Sequence, residues 1–320
     1  MSIGKFKKAY VNLGIKHQLP FQAQAWWLDA VCGPEGWDVA LAFDDEHTPI
    51  GAMPFGKDRW KGLPILRMPP FTAYFPIWLR DMGSARIVRQ YHWTHKALKD
   101  LIGQMPGRWW IDQQYEPAFT NGLPFYGKGY KVLTRYTYHL DPLDPVDGLW
   151  KGMESATRNL IRKAKSQTRI QTGENTEQLY GLIRDSYRRR GQKAPFSLES
   201  LLSIDAELAS RDMRTIYTAT DAQGALHAAC YIVWDKDKAY GLLNGAHPDY
   251  RQSGALYRVL WQAIKDASKR GLTFDFEGSV LPQIERVFRS FGAKRVPYLR
   301  VVRYQNRFVE ALVTLLGKTH

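Results

Sequence analysis

The residues best suited to chemistry lie in the segment 272–280, LTFDFEGSV. Side chains alternate between the two faces of a strand, so Thr273, Asp275 and Glu277 share one face and the two phenylalanines share the other. Two carboxylates about 7 Å apart along a strand raise each other's pKa when both are poorly solvated, which suits one of them to abstract a proton. Alternatively, the carboxylates cap the next helix or pair with nearby arginines. The pattern predicts a general base at Glu277 or Asp275.

An anion site is predicted just before a helical pattern, in a short loop. Its residues are Arg251, Gln252, Ser253, Gly254 and Ala255. Backbone N–H groups at the start of a helix point toward a bound anion, and one arginine adds a positive charge. We therefore expect this loop to bind phosphate groups.

A run of cations without an acid extends over residues 155–169. Arg158 and Arg162 lie one helical turn apart, and Lys163 follows directly. Like charges at this spacing cost a few tenths of a kcal/mol in an isolated helix, so an anionic partner would explain the run. A solvated helix face explains it equally well. These three side chains are candidates for substrate binding.

Helices and strands of predictable type surround these residues. Apolar residues recur at helical spacing over 254–270, and a second helix begins at Pro282 and ends at Gly292. A three-strand meander is predicted upstream at residues 215–220, 225–234 and 238–246. In the N-terminal half, the predicted elements are a hairpin at 37–43 and 49–55, a loop at 59–79, a helix, a strand at 108–114 and a strand at 130–140.

A domain boundary is predicted at residues 141–147, because prolines and acids end a strand there. Both halves share one order of elements: helix, meander, helix, strand, helix, strand. The length of 320 residues also suits two domains. We expect an α+β chain with domains at 1–145 and 146–320, each a mixed sheet flanked by helices.

The charge and the cysteines narrow the class of protein. A formal net charge of +14 favours anionic partners such as nucleic acid, phosphorylated donors or an acidic membrane surface. Cys32 and Cys230 offer neither a disulfide framework nor a zinc spacing. His92 and His95 lack a third ligand at a suitable spacing, so no metal is expected.

No signal peptide is predicted, because the basic N-terminus is not followed by an apolar stretch, and no membrane-spanning helix is predicted, because no later window approaches eighteen apolar residues. With the cysteine usage, this favours a cytoplasmic protein. The apolar segment 308–316 is too short to span a bilayer. It either packs on the core or rests on a membrane surface.

Three segments resemble the FemABX (peptidoglycan interpeptide bridge) branch of the GNAT acyltransferases and the related BioF2-like acetyltransferase domain. They are residues 155–165, SATRNLIRKAK; residues 254–271; and residues 274–279, FDFEGS, with 288–293, FRSFGA. The resemblance extends over residues 150–300 and is weaker before them. It implies tandem GNAT-like domains, of which the second carries the donor loop and the catalytic strand.

The resemblance implies transfer of an acyl or aminoacyl group to an amine, with acyl-CoA or aminoacyl-tRNA as the cosubstrate and no tightly bound cofactor. In this fold the donor carbonyl is polarised by a backbone amide, here within residues 240–246. Tyr240 is a candidate general acid and Asn244 a candidate acceptor ligand; a core tyrosine and a turn asparagine are the alternatives. One departure from the family's loop pattern is Leu256, which stands where a small residue is usual.

Two functions follow as hypotheses. The first is an N-acyltransferase acting on a small-molecule amine or a cell-wall or cell-envelope precursor, with possible peripheral membrane contact. The second is a non-catalytic, basic RNA-binding or membrane-surface protein that keeps the scaffold for its charge.

Overall fold

The computed structural model describes residues 3–81, 83, 86–141, 145–278 and 281–316. Ser279 and Val280, at the end of the predicted catalytic segment, lie outside the described residues. Helices and mixed sheets both contribute, so the predicted α+β class is confirmed. The helices are α1 (Ile3–Lys16), α2 (Ala25–Cys32), α3 (Ile87–Gly103), α4 (Leu123–Tyr126), α5 (Val146–Gly152), α6 (Ser155–Gln167), α7 (Thr176–Arg188), α8 (Leu198–Ala209), α9 (Ala255–Lys269), α10 (Pro282–Ser290) and α11 (Arg307–Leu315).

The strands follow the expected meanders, with additional short strands. They are β1 (Trp37–Phe43), β2 (Pro49–Trp60), β3 (Leu63–Arg67), β4 (Trp78–Leu79), β5 (Trp110–Tyr115), β6 (Lys131–Leu140), β7 (Arg169–Gly173), β8 (Arg214–Thr220), β9 (Leu226–Trp234), β10 (Lys238–Ala246), β11 (Thr273–Asp275) and β12 (Lys294–Tyr304). No helix among the described residues is both long enough and apolar enough to cross a membrane.

The chain forms two compact units. Unit 1 comprises Met1–Arg135 and Pro297–His320, and unit 2 comprises Tyr136–Val296. This division differs from a single cut near residue 145, because the C-terminal segment groups with the N-terminal unit.

Unit 1 contains a mixed sheet in the order β1, β2, β3, β5 and the end of β12. The pairings are antiparallel except that of β3 with β5, which is parallel. The expected loop over residues 59–79 is wrong at Leu63–Arg67, since this segment pairs with strands on both sides. α11 packs its Val309 and Val313 against Ile65, Trp110 and Val302.

The sheet of unit 2 repeats this pattern in the order β8, β9, β10, β11 and the end of β6, with β7 added beside β8. Its pairings are also antiparallel except for one, that of β10 with β11. In each unit the strand beyond the parallel pair therefore comes from a distant part of the sequence. A cut at residue 145 would separate both of these strands from their sheets.

One face of the unit 2 sheet is covered by α6, α9 and α10. Their buried side chains include Ile161, Leu260 and Phe288, which pack in one cluster with Phe274 and Phe276 of the predicted catalytic segment. The two phenylalanines of that segment are thus part of the core. α7 packs on the strands from the other side, with Leu182 against Gly245.

Candidate functional site

The parallel strands β10 and β11 pair only briefly. Their register runs from Lys238 opposite Thr273 to Tyr240 opposite Asp275, where β11 ends. β10 continues to Ala246 beside β9, with a register shift between Gly241 and Leu243. Within the described part of the chain, no strand pairs with residues 241–246 on the β11 side. Backbone groups along this edge are thus placed to bind a ligand.

Asp275 is fully buried at the end of β11 and is held by three neighbours. Its Oδ1 accepts hydrogen bonds from Thr137 Oγ1 at 2.6 Å and from the N–H of Glu277 at 2.8 Å. Its Oδ2 lies 2.9 Å from His139 Nε2. These contacts connect the predicted catalytic segment to the end of β6.

The expectation that the pKa of Asp275 is raised is wrong. Burial does raise the pKa of this carboxyl, but hydrogen bonding and charge from His139, the charge of Lys238 and the hydrogen bond from Thr137 outweigh burial. The pKa of Asp275 therefore lies below its ordinary value. A stably ionised, fully bonded carboxylate suits positioning better than proton abstraction.

Glu277 is half-buried and adopts a left-handed backbone conformation, with φ +57°. Such a conformation costs about 1–3 kcal/mol for a residue other than glycine and is concentrated at functional sites. The next residue, Gly278, has φ +71° and packs so closely on β6 that a Cβ would meet the Thr137 Cα at 3.2 Å. Because the strand ends at Asp275, strict alternation does not extend to Glu277. The backbone turn sets the direction of its side chain.

The two other candidates on β10 differ in their surroundings. Tyr240 is buried, and its hydroxyl donates to Asp235 Oδ2 at 2.9 Å in the β9–β10 turn. Asn244 is exposed on the part of β10 that pairs with β9 but extends past the pairing with β11. The adjacent Gly245 approaches α7 closely, since a Cβ there would lie 2.8 Å from the Leu182 Cβ.

The predicted anion loop lies between β10 and α9. Residues Pro248–Ser253 form a 3-10 turn, after which Gly254, with φ +77°, starts α9. Arg251 and Gln252 are exposed, and Ser253 Oγ accepts from the N–H of Ala255 at 3.2 Å. The loop thus combines a helix start with an exposed arginine.

Gly254 packs on α6 without room for a side chain, since a Cβ there would lie 2.8 Å from the Leu160 carbonyl carbon. Leu256, the departure from the family pattern, packs against the core cluster of unit 2. The close contact with α6 thus restricts the conformation of the predicted anion loop.

The basic residues of α6 do not gather at one point. Arg158 donates to the Lys151 carbonyl at 3.1 Å, at the end of α5. Arg162 donates to Asn159 Oδ1 at 3.0 Å and stacks on Trp150. Lys163 donates to the Gln252 carbonyl at 2.9 Å, so this lysine supports the anion loop directly.

Arg258 contributes a support that sequence reasoning missed. From α9 it donates to the Ala164 carbonyl at 3.0 Å and to Thr168 Oγ1 at 2.9 Å, which caps the end of α6. Desolvation lowers the pKa of this guanidinium. The available signal was a single arginine next to the apolar stripe of α9.

A pocket of about 830 Å³ opens on the α7 side of the sheet. Hydrogen-bonding side chains dominate its lining, among them Gln171, Gln178, Asp185, Thr218, Asp221 and Tyr250. The Tyr250 ring stacks on His227 with centroids 3.8 Å apart, and His227 Nε2 lies 3.2 Å from Asp221 Oδ2. Since Tyr250 directly precedes Arg251, the pocket adjoins the anion loop.

The N–H of Ala225 and the His227 side chain hold the pKa of Asp221 below its ordinary value, despite an opposing contribution from desolvation. Asp221 is thus an anion at neutral pH. Among the described residues, no group of three or more His, Cys, Asp or Glu side chains is arranged to hold a metal ion.

Comparison with known proteins supports the expected family. Residues 152–285 match the family model of an acetyltransferase (GNAT) domain. No curated protein sequence matches the chain significantly.

Solved structures share the fold at low sequence identity. FemX has a TM-score of 0.61 at 12% identity, covering 91% of this chain and 93% of that chain. The C-terminal domain of a putative lysylphosphatidylglycerol synthetase from Agrobacterium fabrum has a TM-score of 0.56 at 12% identity, covering 98% and 96%. A conserved protein of unknown function from Bacteroides thetaiotaomicron has a TM-score of 0.54 at 10% identity, covering 95% and 98%. The similarity in fold thus extends over both units.

Proposed function

We propose that this protein is an N-acyltransferase, since residues 152–285 match the family model of an acetyltransferase (GNAT) domain. It transfers an acyl or aminoacyl group from an activated donor, acyl-CoA or aminoacyl-tRNA, to an amine. The observation that carries the proposal is the unpaired edge of β10 at residues 241–246, which leads directly into an anion loop.

The donor binds by its phosphates at the loop. The first turn of α9 supplies N–H groups and a positive dipole end, and the exposed Arg251 adds a full charge. Lys163 and the close contact of Gly254 with α6 hold the loop in place. No group is bound permanently, because the donor is consumed in each turnover.

The donor carbonyl lies along the unpaired edge of β10, where a backbone N–H polarises it. The acceptor nitrogen attacks the carbonyl carbon, and the carbon–sulfur bond of a thioester or the carbon–oxygen bond of an aminoacyl ester breaks. Glu277 takes the proton that the amine loses, directly or through water, and this proton then passes to the leaving thiolate or alkoxide, which departs as the thiol or the hydroxyl. Asp275 positions Glu277 through their 2.8 Å hydrogen bond. Tyr240 is given no proton-transfer role, because its hydroxyl donates to Asp235.

The acceptor is an amine on a polar carrier. Asn244 orients it at the exposed part of β10, and the adjoining pocket offers amides, hydroxyls and the ionised Asp221. A cell-envelope precursor, including a peptidoglycan precursor, is the proposed carrier. The resemblance to the FemABX branch and the fold shared with a putative lysylphosphatidylglycerol synthetase support this choice.

The donor proposal is tested by ligand-induced thermal stabilisation. The chain is heated with acetyl-CoA, longer acyl-CoAs or charged tRNA, and a true donor raises the melting temperature in a concentration-dependent way. Arg251→Ala should weaken that donor's binding without lowering the melting temperature of the free protein. Lys236→Ala is the matched control, since it removes one charge at the other end of β10.

Unchanged donor affinity in Arg251→Ala would exclude the loop as the phosphate site. The non-catalytic alternative makes a different prediction: binding to any RNA with a steep salt dependence, no stabilisation by acyl-CoA, and no product from charged tRNA.

A further inference from the structure

α11 is apolar on two sides, although only one of them meets the core of unit 1. Val309 and Val313 are 2% and 0% exposed in that core. Phe308 and Leu315 are 73% and 84% exposed. A surface helix normally turns polar residues toward water, so the exposed apolar side indicates a binding surface for a partner.

The exposed residues form a stripe along the helix. Phe308 and Leu315 are seven positions apart and thus lie on one side, with Ala311 and Leu312 between them. The stripe carries no charge. Within the described part of the chain, nothing covers its two large side chains.

Cationic and aromatic residues stand next to the start of α11. A cavity of about 430 Å³ ends at Gln305 and is lined by Arg108, Trp109, Arg303 and Tyr304. Trp109 and Tyr304 also pack against the cluster that holds Val309 and Val313, so the cavity lies next to α11. Arginine beside tryptophan and tyrosine is the composition found at bilayer interfaces.

The charge of this surface selects its partner. The single acid of α11, Glu310, pairs with Lys131. The arginines that line the cavity therefore make the charge of this surface positive. The chain carries a formal net charge of +14, so a second copy would bring like charges together. The phosphates of RNA would pair with the arginines, but RNA would bury little of the apolar surface of Phe308 and Leu315. An anionic bilayer satisfies both the charges and the apolar stripe.

We propose that α11 and the adjoining cavity dock unit 1 on an anionic lipid surface. The helix lies in the interface, its exposed stripe enters the acyl-chain boundary, and Arg108 and Arg303 contact lipid phosphates. Docking is independent of the proposed acyl transfer, since none of these residues lies in unit 2.

The test measures co-sedimentation of the full chain with vesicles of phosphatidylcholine, with and without phosphatidylglycerol. Wild type should bind the anionic vesicles, and added salt should weaken the binding. The double variant Phe308→Ser, Leu315→Ser should lower the partition coefficient about tenfold or more. The control is Ile15→Ser, Val88→Ser, which removes two side chains of 69% and 62% exposure from α1 and α3 and should bind like wild type.

Three outcomes would overturn the proposal. The first is that both double variants lose binding equally, and the second is that wild type ignores the anionic vesicles. The third is that sedimentation velocity shows a dimer that the α11 variant alone abolishes, which would make a second copy the partner. Arg108→Gln provides a separate check, because it should lower binding to anionic vesicles, whereas Lys236→Gln should not.

Discussion

Glu277 has a backbone conformation that few glutamates adopt, with φ +57°, in the turn that follows β11. Replacing it by glutamine keeps its shape and removes the base. We expect Glu277→Gln to lower turnover by about 10²- to 10⁴-fold, with the melting temperature nearly unchanged. Steady-state kinetics and thermal unfolding of the same preparation provide the check. Full turnover combined with earlier melting would make Glu277 a structural residue.

Replacing Asp275 should lower stability as well as turnover, because Asp275 is buried and bonded to Thr137 and His139. We expect Asp275→Asn to lower the free energy of unfolding by about 1–3 kcal/mol at neutral pH.

The pKa of Asp275 is lower in the folded chain than in the unfolded chain. Its contribution to stability is therefore complete above the unfolded value, about 3.9, and is lost as the pH falls through the folded value. Urea unfolding between pH 6 and pH 2.5 should show a steeper loss below pH 4 for wild type than for Asp275→Asn. If the free energy of unfolding changes with pH in the same way for both proteins, the hydrogen bonds of the Asp275 carboxylate do not stabilise the fold.

At the scale of elements, the anion loop depends on how α9 begins. Gly254 and Gly271 bracket this helix with similar φ angles, +77° and +70°, but only Gly254 is packed against a neighbour. Gly271→Ala should cost about 1–2 kcal/mol from backbone strain alone. Gly254→Ala should cost more and also weaken donor binding, because its Cβ would press on the Leu160 carbonyl. Equal losses of stability in urea would show that the contact with α6 does not matter.

The strand β3 shows how packing overrides a local signal. Residues 59–79 contain prolines and aromatics typical of a loop, yet Leu63–Arg67 pairs with both β2 and β5. Pro64 is tolerated, although proline lacks a backbone donor for a sheet ladder. Long-range partners, which a local pattern does not reveal, decide this strand.

At the scale of the whole molecule, the topology makes a prediction about fragments. Tyr136–Val296 contains the end of β6, which pairs with β11 and supplies Thr137 and His139 to Asp275. A fragment of residues 136–296 should therefore unfold cooperatively. A fragment of residues 146–320 should not, because its sheet lacks that edge and Asp275 is left buried without these partners. Near-ultraviolet circular dichroism during urea titration compares them, and equally cooperative folding of both would contradict the prediction.

The sequence by itself determined the local elements and the positions of the chemical groups. Helical spacing located α9, and the residue types located the predicted anion loop and the two carboxylates. These features depend on neighbours within a few residues, and so does the resemblance to GNAT acyltransferases.

Only the tertiary structure decided which groups meet and what that does to them. It gave the two carboxylates different environments. Strand β6 brings Thr137 and His139 within hydrogen-bond distance of Asp275, whereas a left-handed backbone conformation sets the direction of the Glu277 side chain. It also placed the end of β12 in unit 1 and the end of β6 in unit 2. Strand pairing and the environment of a buried charge arise from residues far apart in the chain, so no local pattern carries them.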